Sequence, residues 1–299
     1  MKTTTQSIWV IAALLTGVTL VSSCKKDDTP ALPPIGGYNS SNDIATSNLL
    51  AHFPFDGSNN ERVSGTAPSS AVNASFTTGA SGQRQALSLA AGYVAFPGLA
   101  AVNSSGSLPS FTTSAWVNVK NTKGGTGAAS LFLTLARANE WAGSVNLFAE
   151  TGRYASTNDT LDVKGILVHK APDGNASFQD AVNSSQLGKE QTVKGAGKWT
   201  HVVGVYNASN STYVLYGNGI KINNTAYENR QYNSAPLGNL AIFPVTNVII
   251  GAWGTNLPGG KPDSWQVPMT GQIDEVRLYN KALTAGEISS LYQLEAAGR

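Results

Sequence analysis

Apolar and polar residues alternate in short runs through most of this chain, the pattern of strands with one buried face. In Leu49–Phe55, Phe53 and Phe55 fall on one side before Asp56-Gly57 turns the chain. Ala86–Ala90 and Tyr93–Phe96 read as two short strands around Gly92. From Phe111 to Val119, the residues Phe111, Thr113, Ala115, Val117 and Val119 share a face, and Trp116 lies opposite with Ser114 and Asn118. Leu131, Leu133 and Leu135 share a face in the next run, and Val145, Leu147 and Ala149 in the one after. Trp199–Tyr206 and Tyr213–Tyr216 continue the series, and Asn218-Gly219 predicts a type I′ hairpin because both positions need positive φ. Val248–Gly251 and Gln272–Tyr279 supply the last strands. The tail Leu283–Leu294 changes period: Thr284 and Glu287 have capping-box spacing, and Ile288, Leu291 and Tyr292 recur at helical intervals. The pattern predicts an all-β, two-sheet antiparallel sandwich with one short C-terminal helix.

The N-terminus does not fit that pattern. A short polar start is followed by an apolar run, Ile8–Val21, then two serines and Cys24, the single cysteine of the chain. The run is shorter than the roughly 20 residues a membrane-spanning helix needs. The layout is that of a secretory signal peptide, and Val21-Ser22-Ser23-Cys24 resembles a bacterial lipobox. That resemblance implies cleavage after residue 23, lipidation of Cys24 and an outer-membrane or cell-surface location in a Gram-negative bacterium. Asp27-Asp28 after Lys25-Lys26 resembles a surface-export tag. Residues 24–47 hold Pro30, Pro33, Pro34 and an Asn-Ser-Ser-Asn run with no apolar period. They read as a flexible tether spanning about 25–30 Å. Residues 48–299 then form one domain.

Composition narrows function further. Charged residues make up 13% of the chain, with 20 basic and 18 acidic side chains. Loss of Lys2 with the leader leaves a net +1, which offers no electrostatic basis for nucleic-acid binding.

Five blocks in order carry a family resemblance. They are Leu50-Ala51-His52-Phe53-Pro54-Phe55-Asp56-Gly57; Gln85–Leu89 with Tyr93–Pro97; Phe111-Thr112-Thr113-Ser114-Ala115-Trp116-Val117; Gly197-Lys198-Trp199-Thr200-His201-Val202-Val203; and Gly271-Gln272-Ile273-Asp274-Glu275-Val276-Arg277-Leu278-Tyr279 leading into Leu283. Together they resemble the laminin-G-like, concanavalin A-like jelly-roll domains. The resemblance spans about residues 48–295 and is weakest from Thr151 to Lys194, which reads as long loops. It implies a jelly-roll sandwich and relatives that range from glycan-binding modules and adhesins to glycoside hydrolases and lyases. It also implies a structural calcium ion between the first and last strands, with Asp56 and Asp274 as the matching side chains. Carbonyls and water would complete the six to eight oxygens that calcium takes. The alternative is a turn role for Asp56 and an ion pair for Asp274.

Tryptophans provide the candidate ligand platform. Trp141, Trp253 and Trp265 lie in or beside polar loops, Trp116 faces away from its strand's apolar side, and sugar rings stack on such faces. Trp253 and Trp265 bracket one loop and form the leading pair. The alternative is that each caps an end of the sandwich. Trp199 shares a face with Val203 and Val205 and reads as core, as does His201.

Candidate catalytic chemistry is thin. No Glu-x-Asp-x-Glu or Glu-x-Asp-x-x-Glu run occurs, and Asp274 and Glu275, adjacent on a strand, point to opposite faces. Glu150 continues the face of Ser144, Asn146 and Phe148 and could line a groove without a carboxylate partner. No nucleophile elbow, zinc-protease helix or P-loop is present, and His52, His169 and His201 lack metal-ligand spacing. The expected function is therefore carbohydrate binding without cleavage by a lipid-anchored protein. A protein-binding or structural envelope role is the alternative, and a polysaccharide-cleaving enzyme the third reading.

Overall fold

Alternation becomes strand nearly everywhere it is strong. The computed structural model describes residues 32–82, 84–123, 129–182 and 193–299; the leader and the candidate lipidation residue Cys24 lie outside them. In chain order the strands are β1 Leu49–Phe53, β2 Ser70–Thr78, β3 Gln85–Pro97, β4 Phe111–Asn118, β5 Ser130–Ala136, β6 Val145–Ala149, β7 Thr160–Leu161, β8 Val163–Lys170, β9 Ala176–Val182, β10 Val193–Lys194, β11 Thr200–Asn207, β12 Thr212–Gly217, β13 Ile220–Lys221, β14 Gln231–Tyr232, β15 Ala235–Pro236, β16 Asn247–Ile250 and β17 Met269–Tyr279. Helix α1, Ala285–Ala296, follows. Among the described residues, thirteen strands join one sheet in the order β13-β12-β11-β4-β17-β3-β16-β5-β6-β8-β9, with β1 on β17 and β2 on β3. The sheet curls until its ends face each other. The backbone of β8 runs so close to Tyr213 of β12 that a Cβ on Gly165 would lie 2.2 Å from the Tyr213 hydroxyl. The two layers of this jelly roll are thus halves of a single curled sheet. Between them lies the main core, including Phe53, Phe96, Phe111, Phe132, Tyr213 and Ile273.

Local signals hold where the chain itself supplies the geometry. Asn218 and Gly219 take φ of 50° and 79° and close β12 onto β13. Thr284 caps α1, its hydroxyl accepting from the Glu287 N–H at 3.2 Å while Glu287 accepts from the Thr284 N–H at 2.8 Å. Other expectations need correction. The stretches on either side of Gly92 are one strand, β3, kinked where Ala91 takes φ of 50°. A side chain at 92 would meet the Val72 carbonyl of β2 at 2.3 Å. Leu131 does not share the face of Leu133 and Leu135: a register shift between Leu131 and Leu133 turns it outward. The stretch read as loops from Thr151 to Lys194 contains β7, β8, β9 and β10.

Residues 34–47, read as tether, are folded. Pro34–Arg299 form one unit. Ile44 is 1% exposed and packs with Val203, Val205, Tyr279, Leu283, Ile288, Leu291 and Leu294, and the Ser41 N–H donates to the Arg299 carbonyl. This segment and α1 together cover the outer face of β11 and β17. Isolated apolar residues such as Ile35, Tyr38 and Ile44 carry no period, so only the partner surface reveals their role.

Beneath that cover sits a buried charge layer. Arg277, 1% exposed, donates from Nε to Glu295 at 2.7 Å and from Nη2 to Glu275 at 2.7 Å. It also reaches Ser41 and Asn42 at 3.1 Å. His52 shares a 2.7 Å hydrogen bond with Glu275, and the Trp116 indole donates to Glu295 at 2.8 Å. One guanidinium therefore serves two carboxylates. Burial opposes ionisation of Glu275, but the His52 hydrogen bond and the Arg277 charge hold it down at about 2. Burial pushes Glu295 up to about 8 against the pull of Arg277. Burial and the Arg277 charge lower His52 to about 4 and His201 to about 3.

These shifts set a pH dependence. A proton kept by folded Glu295 up to about 8 but lost near 4.3 when unfolded makes stability fall as pH rises across that interval. The two histidines act oppositely, and their effect is complete by about pH 6.5. Stability should therefore decline between about pH 6.5 and 8, with Asp274, raised to about 7 chiefly by burial, contributing at the lower end. Melting temperatures across this interval should slope downward in the wild type and flatten in Glu295→Gln. An equal slope in both would refute the assignment.

Candidate functional site

An aromatic cavity lies on the outward face of β5, β6 and β8. Strand alternation puts Val145, Leu147 and Ala149 of β6 into the core, so Phe148 points outward, and Glu150 just beyond the strand joins it at the cavity. On β8, Val163 and Leu167 turn inward, which leaves Lys164 and Ile166 facing out. Two loops then close over this face: the β5–β6 loop brings Trp141, and the β16–β17 loop brings Trp253 from its start and Trp265 from its end. The enclosed space is about 470 Å³, bounded by these residues with Ala129, Gly152 and Arg153. Its size falls within the usual 300–1,000 Å³ of roughly small-ligand sites.

The three tryptophans form one cluster. Their ring centroids lie 5.2 Å (Trp141–Trp253), 5.3 Å (Trp141–Trp265) and 5.4 Å (Trp253–Trp265) apart, all edge-on, the arrangement the ring quadrupole favours. Phe148 meets Trp253 edge-on at 5.4 Å, and Phe178 stacks on Trp141 at 5.9 Å. Trp253 is 1% exposed, so it is the pillar on which Trp141 and Trp265, both partly exposed, are held. The pairing of Trp253 with Trp265 is realised, but Trp253 supplies support rather than an open stacking face.

Charged groups rim the cavity in pairs. Lys164 donates to Glu150 at 2.8 Å and sits 5.9 Å from the centre of the Phe148 ring. Arg153 faces the buried carboxylate of Asp162 at 3.3 Å. Glu150 falls on this face by strand alternation, but Lys164 and Arg153 lie inside the stretch whose sequence reads as loops. The outward alternation of Lys164, Ile166 and Val168 was the signal available for them.

Trp116 belongs elsewhere. It does face away from the core side of β4, but α1 covers that face. Trp116 is 5% exposed, stacks on Tyr292 at 5.5 Å and lies 5.4 Å from His201. It is a structural residue and takes no part in the cavity. His201 is buried as expected, yet neither ring nitrogen has a hydrogen-bond partner, and Glu295 Oε2 is 3.6 Å away. Trp199, read as core, is only partly buried.

Asp274 and Glu275 converge instead of pointing apart. A bulge in β17 shifts register against β4 between Asp274 and Arg277, and Glu275 takes φ of 48°; such a bulge re-aims a side chain. Both acids now line a crevice with Arg84, Trp116 and Glu295. The crevice holds about 10 Å³, enough for roughly one water and far too small for a sugar.

Asp56 and Asp274 do approach each other: burial raises Asp274 and the Asp56 charge adds to it, while burial and the Glu275 charge raise Asp56. Their oxygens are already occupied. Asp274 accepts the N–H groups of Ala80 and Glu275, each at 2.9 Å. Asp56 accepts the Gln85 N–H at 3.2 Å and faces Arg84 at 3.6 Å. Arg84 also faces Glu275 at 3.5 Å. No group of three His, Cys, Asp or Glu side chains suited to a metal ion occurs among the described residues. As arranged, this donor set does not fit calcium, because a guanidinium and backbone donors fill the space that oxygens would need. A chelator should therefore leave the melting temperature unchanged. A rise on adding calcium that Asp274→Asn abolishes would show that Arg84 yields to the ion.

Residues 88–289 match the laminin G-type family described as the concanavalin A-like lectin/glucanases superfamily, and the chain belongs to that family. No curated protein matches the sequence. Among solved structures the chain is similar to domain 4 of AbnA, an extracellular GH43 arabinanase from Geobacillus stearothermophilus, in complex with arabinotriose. The identity is 17% and the TM-score 0.50, over 82% of this chain and 98% of that one. It is similar to the binding domain of botulinum neurotoxin serotype G, at 12% identity and TM-score 0.54, over 83% of this chain and 51% of that one. It is also similar to the serotype D ligand-binding domain in complex with N-acetylneuraminic acid, at 13% identity and TM-score 0.51, over 85% and 52%. The chain thus spans about half the length of the toxin domains. At these identities the likeness establishes the fold.

Proposed function

We propose that this chain is a glycan-binding domain that does not cleave its ligand, displayed by a lipid-anchored envelope or surface protein of a Gram-negative bacterium. The observation that carries the binding reading is the cavity itself: partly exposed Trp141 and Trp265 braced by Trp253, beside hydrogen-bonding side chains at its rim. Aromatic faces with a few placed polar groups suit the apolar faces and hydroxyl edges of a sugar. Two solved neighbours held saccharides, arabinotriose and N-acetylneuraminic acid.

The non-catalytic reading rests on where the acids lie. Glycoside hydrolysis needs two carboxyl groups flanking the scissile bond. Asp274, Glu275 and Glu295 converge in the small crevice rather than at the cavity. At the cavity, Glu150 is held by Lys164.

A glycan panel tests the assignment. Trp265→Ala and Trp141→Ala should each weaken saccharide binding at least about tenfold, the scale of one lost stacking or hydrogen-bonding contact, with unchanged far-ultraviolet circular dichroism. Retained affinity in both would move the site elsewhere, and binding to no glycan would favour the protein-partner reading. The lipid anchor, read from Cys24, is tested by fatty-acid labelling in a bacterial host, which Cys24→Ser should abolish.

A further inference from the structure

The charge arrangement at the cavity speaks to the class of sugar, an inference that rests on the glycan-binding reading above. Two cations border the aromatic space, yet neither is available as a bare positive charge. Glu150 is 2.8 Å from the Lys164 ammonium, and the Asp162 carboxylate, its side chain fully buried, is 3.3 Å from Arg153. Each cation is therefore neutralised within the protein before any ligand arrives.

A ligand carboxylate reaching Lys164 would sit beside Glu150 in a partly desolvated space, where like charges repel strongly. A neutral sugar meets no such penalty. A carboxylate and an ammonium in contact offer an acceptor and a donor side by side, which matches two neighbouring hydroxyls, each able both to give and to take a hydrogen bond. Phe148 and the partly exposed Trp265 lie next to this pair in the same lining, so a sugar's apolar face can rest on rings while its hydroxyl edge meets the charges. Trp253 lines the same space as the support of these rings, its indole N–H buried with no hydrogen-bond partner.

We propose that the cavity binds a neutral saccharide through a pair of adjacent hydroxyls bridging Glu150 and Lys164, and discriminates against uronic and sialic acids.

The test is calorimetric titration of the folded chain with neutral saccharides (arabinan, galactan, xylan and mannan oligosaccharides) and acidic ones (galacturonate and alginate oligosaccharides, sialyllactose), at low and high salt. Neutral ligands should bind at least about tenfold tighter than acidic ones, with affinity nearly independent of salt because no net charge is transferred. Glu150→Gln leaves Lys164 uncompensated, so neutral binding should fall roughly tenfold while acidic saccharides gain, with an affinity that weakens as salt rises. Glu150→Gln lies at the rim, and an unchanged melting curve would confirm its fold; Lys164→Gln provides the complementary loss without the gain in acidic binding. Tighter binding of acidic sugars by the wild type, or no change of preference in Glu150→Gln, overturns the neutral-sugar inference while leaving the cavity as the site if Trp265→Ala still abolishes binding. Absence of binding to every saccharide overturns both readings.

Discussion

Arg277→Ala should destabilise this protein by about 3–5 kcal/mol, the range found when one partner of a buried ion pair is removed. The side chain is 1% exposed and is the guanidinium shared by Glu275 and Glu295. Its loss takes the nearest cation from the ionised Glu275, a hydrogen-bond donor from Glu295 and from Ser41, and the nearer of two donors from Asn42. Because Ser41 and Asn42 precede β1 while Glu295 sits near the end of α1, the same substitution loosens both chain ends. Hydrogen exchange should accordingly rise in residues 35–48 and in α1 before it rises in β5–β8. Arg277→Lys keeps the charge but loses the fork that reaches two carboxylates at once, so it should recover only part of the loss. Glu275→Gln with Glu295→Gln in the Arg277→Ala background removes the Glu275 charge and the Glu295 carboxyl together and should restore stability toward wild type. Denaturant unfolding checks all three, and an Arg277→Ala variant within 1 kcal/mol of wild type, a small effect on the roughly 0.5–3 kcal/mol scale of ordinary substitutions, would show that the charge layer contributes little.

Trp253→Ala should cost about 3–5 kcal/mol, as large-to-small changes of buried aromatics do, and should lower the melting temperature by on the order of 10 °C. Its ring touches Trp141, Trp265 and Phe148 at once, so its removal opens a void at the centre of the cluster. Binding should be lost with stability, whereas Trp265→Ala should lose binding with a far smaller stability change. The separation of those two outcomes distinguishes pillar from platform. Equal stability losses in both variants would refute it. Tryptophan fluorescence gives a second readout, since an intact cluster should respond to ligand and the Trp253→Ala cluster should not.

Much of this architecture was legible in the residues themselves. Alternation along Phe111–Val119 and Val145–Ala149 assigned the inward faces correctly because a strand's side chains must alternate whatever surrounds it. The Thr284–Glu287 capping box and the Asn218-Gly219 turn are satisfied within a few residues, so local chemistry alone determined them. The family blocks, being strand sequences in fixed order, identified the jelly roll. Trp253 and Trp265 could be paired from the sequence because they bracket one loop, but that Trp141 from the β5–β6 loop joins them is visible only in the structure.

The tertiary structure decided what covers each face. Alternation put Trp116 on the outward side of β4, but only the return of α1 shows that Tyr292 and Glu295 bury it there. One extra residue in β17 brought Asp274 and Glu275 into a shared crevice, a change of direction that sequence adjacency cannot reveal because it depends on register with β4. Lys164 became a rim residue when β6 and β8 paired, placing it against Glu150. Residues 34–47 carry too few apolar side chains to predict folding, yet they find a ready surface beside α1. What the sequence determined by itself was the set of local elements and which side of each strand is apolar, since these follow from backbone geometry within a few residues. The cavity, the occupied aspartates and the shared arginine arise from contacts between segments far apart in the chain, and such contacts exist only once curling of the sheet has brought those segments together.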